Sequence, residues 1–346
     1  MISLRSPRRV PHAFNRSFSS SFPSFTKVNI KLVAELRKRT DVSLSKAKEA
    51  LISTNNHVEA ALEWLEKDLV ASGAKKKEKV QDRTAGEGLI GVSVLSNGFS
   101  AGRGARAAMV ELNCETDFVA RNRLFGELLD DIAHTAAFIS DFDAYHTIAD
   151  SKPFLDKHLL QAPLLSARDP SRKPTTDIGG AVDALIAKVG EKISLSRAVS
   201  ISHPLPSPQS NVALRISSYL HGSVVGGLSS QGRIGALALL ALKSPRLSTL
   251  TGDSNFSEGI EKLQRALARQ IVGFETLSVK DSSETSLYNQ PFMMFAGSDQ
   301  PVGMVLKQWA TERGLNEPGE QGSGLEVLEF AKWSVGGGGV ISSEKT

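Results

Sequence analysis

Apolar residues recur along this chain with two different periods, and the period changes near residue 88. Before that point Val28, Leu32, Val33 and Leu36 fall at helical spacing. Leu44, Ala47, Ala50 and Leu51 form a second stripe, and Val58, Ala61, Leu62 and Leu65 a third. Arg39-Thr40-Asp41 separates the first two stripes, and Ser43 is the expected cap of the second. Asn56, with Glu59 three residues on, has the form of a capping box for the third. Residues 28–68 are therefore expected to form a three-helix module with a marginal core of its own. Residues 69–87 carry Lys75, Lys76, Lys77, Lys79 and Arg83 with little to bury, and read as a basic linker.

Beyond residue 88 strand patterns begin. Leu89–Leu95 and Ala107–Leu112 flank a glycine-containing connection and read as a hairpin. A helix is expected over 123–139, where Leu124, Phe125, Leu128, Leu129, Ile132 and Ala136 share a face. Residues 141–177 are irregular up to a helix over 178–189, with prolines at 153, 163, 170 and 174, and a strand follows over 192–201. Pro204, Pro206 and Pro208 mark a connector. The order then recurs: strand 212–221, a glycine-rich loop, strand 234–242, helix 257–272 and a late strand 325–335. Hairpin, helix and returning strand, twice over, predict an α+β chain. Two related subdomains with antiparallel sheets, residues 88–202 and 203–346, are expected to follow the helical module.

Composition narrows the chemistry. A chain of 346 residues that is 40% hydrophobic can bury a sizeable core. Its net charge of +4 is partly concentrated at the N-terminus, and no aromatic residue interleaves with the lysine run, so no nucleic-acid platform is expected. One cysteine excludes an intramolecular disulfide and a multi-cysteine metal site. No apolar stretch has the length of a membrane helix. The first thirty residues hold no Asp or Glu, but contain Arg5, Arg8, Arg9, Arg16 and Lys27 among Ser17, Ser19, Ser20, Ser21 and Ser24. That is the composition of a mitochondrial transit peptide, expected over residues 1–27 as a disordered segment addressed to the matrix. Arg16-Ser17-Phe18-Ser19 has the look of a matrix-protease site, which would start the mature chain near Ser19.

The densest cluster of polar chemistry is Asn113-Cys114-Glu115-Thr116-Asp117-Phe118-Val119-Ala120-Arg121-Asn122, between the second strand and the long helix. Thr116 is the expected helix cap, with Asp117 in the first turn. Cys114 is a possible nucleophile, but His134 lies about five helical turns away, some ~30 Å along the axis. Glu115 and Asp117 have no histidine nearby to complete a metal site. Neither phosphate-binding glycine pattern is present. No catalytic, cofactor or metal site is expected. Phe118 lies seven residues before Phe125 and fourteen before Ile132, so helical periodicity carried backwards places it on the buried stripe.

The same string resembles, nearly letter for letter, the signature of the elongation factor Ts family, the guanine-nucleotide exchange factors of elongation factor Tu. Leu36-Arg37-Lys38-Arg39-Thr40 matches the ubiquitin-associated-type module that opens the family, although Ser43-Leu44-Ser45-Lys46 stands where Gly-Met-Met-Asp is usual. Ala187–Ile193, Ser218-Tyr219-Leu220-His221-Gly222, Arg233-Ile234-Gly235, Asn289-Gln290-Pro291-Phe292 and Phe330-Ala331-Lys332-Trp333 resemble further family passages. Gln270, where many members have histidine, and Gly336–Gly339, in place of Gly-Glu-Gly, are departures. The resemblance covers nearly everything from Val28 to Gly339.

It implies that elongation factor Tu is the partner, with GDP and GTP bound by that partner only. No cofactor, nucleic acid or membrane would be involved. It implies a partner-binding set of Asn113, Cys114, Thr116, Asp117, Phe118 and Val119, with His221 and Gly222 as a second hold. In the family the Asp-Phe pair enters the GTPase beside its magnesium and phosphate site, which opposes the buried reading of Phe118. Two rivals are a ubiquitin-associated-type adaptor without exchange activity and a thiol-dependent enzyme using Cys114.

Overall fold

The chain divides into two compact units, residues 1–68 and 69–346. The computed structural model describes residues 28–40, 42, 44–98, 104–140, 148, 158–204, 211–222, 231–295, 298–316 and 324–344, with 69–77 described by backbone alone. The expected transit segment and the expected cap Ser43 lie outside the described residues.

In the first unit the three expected stripes meet. Val33 and Leu36 come from α1 (Ile30–Arg39), and Ala47, Ala50 and Leu51 from α2 (Leu44–Ser53). Ala61 and Leu65 come from α3 (Val58–Val80). Asn29 caps α1, its side chain accepting from the Lys31 N–H at 3.0 Å. α3 does not start from the expected Asn56 cap; the Asn56 Oδ1 accepts from the Asn29 N–H at 3.3 Å. Asn55 and Asn56 both take positive φ, 51° and 62°, a conformation asparagine tolerates better than most residues. The Asn56 N–H closes α2 on the Leu51 carbonyl at 2.8 Å, so this residue serves the turn. His57 caps α3 instead, its Nδ1 accepting from the Ala60 N–H at 3.2 Å. The third helix also runs on to Val80, through much of the stretch read as linker. Alanine, lysine and glutamate dominate residues 71–79 and no proline interrupts them, so helix propensity carries the backbone on.

The second unit is built in four layers. β1 (Glu87–Asn97) and β2 (Ala105–Cys114) form the expected hairpin, in register from Glu87↔Cys114 to Asn97↔Ala105. The one-turn helix α4 (Asp117–Ala120), α5 (Arg123–Ile139) and α6 (Ile178–Val189) follow, and β3 (Ile193–His203) returns antiparallel beside β2. In the second half β4 (Val212–His221) pairs with β6 (Ile234–Lys243), and the two-residue β5 (Gln231–Gly232) joins β1 of the first sheet. After α7 (Leu247–Thr251), α8 (Ser254–Gly273) and α9 (Val302–Glu312), β7 (Gly324–Ser334) returns beside β6, with β8 (Gly339–Ser343) outside it. In both halves the returning strand lies against the second strand of the hairpin. The expected repeat of element order is thus a repeat of topology.

Strand alternation assigns the layers. Leu89, Ala108, Val110 and Leu112 face α5 and α6, whereas Ile90, Val92, Ala107 and Met109 meet Leu237, Leu239, Ala331 and Trp333 of the second sheet. Ala236, Ala238, Leu240 and Phe330 face α8 and α9. The two halves therefore share a middle layer, and β2 and β6 are covered on both sides. α7, α9 and the edge strand β8 were not anticipated. In α9 the buried residues Val302, Val305, Leu306 and Trp309 keep helical spacing, a pattern that the flanking turn residues obscure. Part of the irregular stretch is a strap over α5: the Leu165 N–H donates to Thr135 Oγ1 at 2.9 Å and the Ala167 N–H to Asp131 Oδ1 at 2.7 Å.

A buried charge ties the two sheets together. Glu111, 2% exposed, accepts from Arg197 Nε at 2.6 Å, Asn113 Nδ2 at 3.0 Å and the Gly336 N–H at 2.9 Å. Arg197 lies over the Trp333 ring at 4.7 Å and donates to the Ser334 carbonyl at 2.9 Å. Gly336 has φ 64°, and a Cβ there would stand 2.5 Å from the Gly86 oxygen, so this turn requires glycine. Removing the guanidinium would leave the Glu111 carboxylate buried without its counter-charge. Arg197→Ala is expected to cost about 3 kcal/mol, the lower end for breaking a buried pair, since two N–H donors remain. Urea denaturation of the full chain measures it, and an unchanged midpoint would contradict this account.

Candidate functional site

β2 ends at Cys114 and the chain turns sharply into α4, so the polar string lies at one end of the first sheet. Thr116 is the cap, as expected, with extended backbone and its Oγ1 accepting from the Val119 N–H at 3.4 Å. The helix it opens is only four residues long. Asn122 then caps a second helix, its Oδ1 accepting from the Leu124 N–H at 2.9 Å.

This interruption overturns the periodicity argument for Phe118. Positions 118 and 125 would share a face only if one helix ran through both, and Arg121 and Asn122 break the phase between them. Within α4 the core takes Val119 and Ala120, 7% and 3% exposed. At about 100° per residue, the direction midway between the inward Val119 and Ala120 lies about 150° from Phe118, which is therefore turned out. Phe118 is 83% exposed, the most exposed large apolar side chain among the described residues. Asp117 beside it is also solvent-facing and pairs with Arg121 at 3.2 Å.

Asn113 and Cys114, at the start of the string, are interior supports. Asn113, 3% exposed, donates to the Glu87 carbonyl at 3.2 Å and to Glu111, and accepts from the Ser196 hydroxyl. Cys114 is fully buried, with its thiol donating to the Thr116 carbonyl at 3.2 Å. Burial, with help from the negative charges of Glu191 and Glu87, pushes that thiol up to about 12. A nucleophilic cysteine needs the opposite, an exposed thiolate in electropositive surroundings. Asn113 and Cys114 thus shape the turn from behind, while Asp117 and Phe118 form its outer face.

His221 ends β4 on the second sheet and Gly222 follows it; both are exposed, Gly222 with φ 70°. The His221 carbonyl accepts from the Arg233 N–H at 2.8 Å. Arg233 reaches Glu87 at 2.7 Å, and Glu87 is the strand partner of Cys114. This relay sets the His221 turn and the Phe118 turn at the same end of the unit. Nearby, Gln231 crosses from β5 to α5, donating to the Gly126 carbonyl at 2.6 Å and to Asp130 at 2.7 Å. Residues 223–230 of the glycine-rich loop lie outside the described residues.

Sequence reasoning did not reach the residues that hold the signature from across the fold. Glu191 binds Thr116, and Glu115 binds the backbone of Lys192. These contacts span 75 and 77 positions, and no local pattern encodes them. The only signal was that residues 187–193 resemble a family passage.

The family model described as elongation factor TS matches residues 115–283. "Elongation factor Ts, mitochondrial" of Laccaria bicolor is 54% identical over 314 residues, covering 90% of this chain and 92% of its own. The protein of the same name from Coprinopsis cinerea is 50% identical over 315 residues, with the same coverage of both chains. "Elongation factor Ts, mitochondrial 2" of Postia placenta is 50% identical over 315 residues, covering 88% and 91%.

The raised thiol pKa carries a testable pH dependence. The folded state holds the Cys114 proton to about 12, while an unperturbed thiol releases it near 9.0. This contribution to stability is complete below pH 9 and is lost as pH climbs from there toward 12, where the unfolded chain ionises and the folded one does not. Near pH 9, only about one folded molecule in a thousand would carry the thiolate. A thiol reagent is therefore expected to label the native protein negligibly and the urea-unfolded protein fully. Native labelling as fast as that of the unfolded chain would contradict the buried-thiol assignment.

Proposed function

This chain belongs to the elongation factor Ts family, and from that footing we propose that α4 is the element through which it acts, with Phe118 as the working group. The protein is a guanine-nucleotide exchange factor of mitochondrial translation, and elongation factor Tu is its partner. The finer assignments that follow concern the residues, the mechanism and the mitochondrial matrix as the place of action.

The observation that carries the proposal is the exposure of Phe118 on a helix whose next two residues are buried. Leaving a phenyl ring in water forgoes about 1.5–3 kcal/mol relative to burying it. A ring held outward on a well-packed support is therefore ready to enter a partner. GDP is held in such a GTPase by backbone donors around the phosphates and by magnesium. A ring inserted beside that site displaces the packed elements that position the magnesium ligands. Asp117 adds a carboxylate at the rim. Its exposed pair with Arg121 is of a kind that contributes little, so it can be exchanged for contacts with the partner.

Once the phosphate and metal contacts loosen, GDP leaves; no bond in nucleotide or protein is made or broken. Linkage then requires that the factor bind the nucleotide-free GTPase most tightly and that incoming GTP expel the factor. His221 and Gly222 provide a second hold from the other sheet, so the partner is gripped on both sides of the wedge. In this reading GDP and GTP remain on the partner throughout, and neither nucleic acid nor membrane takes part. The burial of Cys114 weighs against the thiol-enzyme alternative.

Stopped-flow release of fluorescent GDP from elongation factor Tu tests the role of the ring. Phe118→Ala should lower the maximal stimulated rate about tenfold or more, the kinetic equivalent of one buried aromatic contact. Its melting temperature should stay that of wild type, because the side chain is already 83% exposed in the free protein. Wild-type release by Phe118→Ala would contradict the proposal. Residues 28–68 alone should fail to accelerate release, and stimulation by that fragment would favour the adaptor module as the active part.

A further inference from the structure

The turn after α6 grips the turn before α4, and the grip is reciprocal. Gly190 caps α6 with φ 77°, the left-handed conformation that reverses the chain and brings Glu191 to Thr116. Glu191 accepts twice from that one residue, from the Thr116 N–H at 3.1 Å and from its hydroxyl at 2.7 Å. In return Glu115 accepts from the Lys192 N–H at 2.6 Å and meets Arg83 at 3.4 Å. The Lys192 ammonium donates to the Gln81 and Arg83 carbonyls at 2.7 and 2.8 Å, tying both turns to the segment that leads into β1.

Thr116 is saturated by this arrangement. Its hydroxyl has a single proton, and giving that proton to Glu191 leaves its lone pairs for the Val119 N–H. Its carbonyl accepts from the Ala120 N–H at 3.2 Å and from the Cys114 thiol. A helix of four residues cannot sustain itself, because nucleating one turn is unfavourable. The orientation of α4 is therefore set by Val119 and Ala120 in the core and by whatever holds its cap, Thr116. That holder is Glu191.

We infer that Glu191 is a positioning residue for nucleotide exchange: by clamping Thr116 it fixes the angle at which α4 presents Phe118 to the GTPase. This rests on the role of Phe118 proposed above. Glu191 itself touches neither ring nor nucleotide; its effect is preorganisation, sparing the wedge the ordering cost at the moment of insertion.

A double-mutant cycle separates this from a general structural role. Maximal GDP-release rates are measured by stopped flow for full-length wild type, Glu191→Ala, Phe118→Ala and the double variant. Glu191→Ala is expected to slow release about tenfold, the equivalent of one charge-assisted hydrogen bond. The double variant should be no slower than Phe118→Ala, because a residue that acts only through the ring has nothing left to act on. Thr116→Ser keeps both bonds to Glu191 and should release GDP at the wild-type rate. Where alanine weakens the fold, Glu191→Gln, which keeps one acceptor oxygen, repeats the cycle with a smaller expected loss. Losses that multiply in the double variant, or a fast Glu191→Ala beside a slow Phe118→Ala, would overturn the clamp alone. A Phe118→Ala protein as fast as wild type would overturn the ring and the clamp together.

Discussion

One interruption in helical phase organises the end of this protein that exposes Phe118. The core requires Val119 and Ala120 from the turn after β2, and Phe125, Leu129 and Ile132 from the helix beyond it. A single continuous helix would satisfy the second set by rolling Phe118 inward with it. The chain instead stops after Ala120, spends Arg121 on a turn and restarts with Asn122 as a new cap. Both sets are buried, and the residue left over is an aromatic ring. Its exposure follows from two competing packing demands and two caps, Thr116 and Asn122, each a side chain satisfying a helix-start N–H.

The rest of the second unit makes that end rigid. The shared layer between the sheets fixes β2 from both faces, and the Glu111–Arg197 pair locks its last residues to the turn beyond β7. Glu191 and Lys192 then bind the turn itself. Because β4 belongs to the same packed unit, the His221 turn keeps its place relative to Phe118 through the apolar layer between the two sheets. A wedge can displace a partner's loops only if its own support yields less than they do. Packed cores resist deformation in this way, and surface loops do not.

Much of this architecture was legible in the residues. Three helical stripes, a hairpin, an amphipathic helix and a returning strand, then the same order again, are legible from spacing alone, and the structure carries them, the third helix running a dozen residues further than expected. What could not be read depended on contacts between distant positions or on competition between local signals. Asn56 looked like a cap and serves a left-handed turn; His57, with a less obvious acceptor, took the cap. The lysine run looked like a linker, yet its backbone had no reason to leave the helix. Phe118 is the instructive case. Periodicity placed it inside because periodicity assumes an unbroken helix, and Asn122, a good cap two residues before Leu124, was the local hint of the break. Asn113 and Cys114, grouped with the contact residues by resemblance, are buried supports, since a strand covered on both faces leaves no side chain free. Glu191 could not have been found without the fold.

The proposed mechanism requires the phenyl ring of Phe118 to leave water for the interior of the GTPase. Fluorine NMR of the full chain with 4-fluorophenylalanine at position 118 observes that event directly, with a soluble paramagnetic agent reporting exposure. The ring should be broadened by the agent in the free protein, protected when nucleotide-free elongation factor Tu is added, and broadened again when GTP releases the complex. A ring that stays equally accessible in the complex would contradict insertion and, with it, the mechanism.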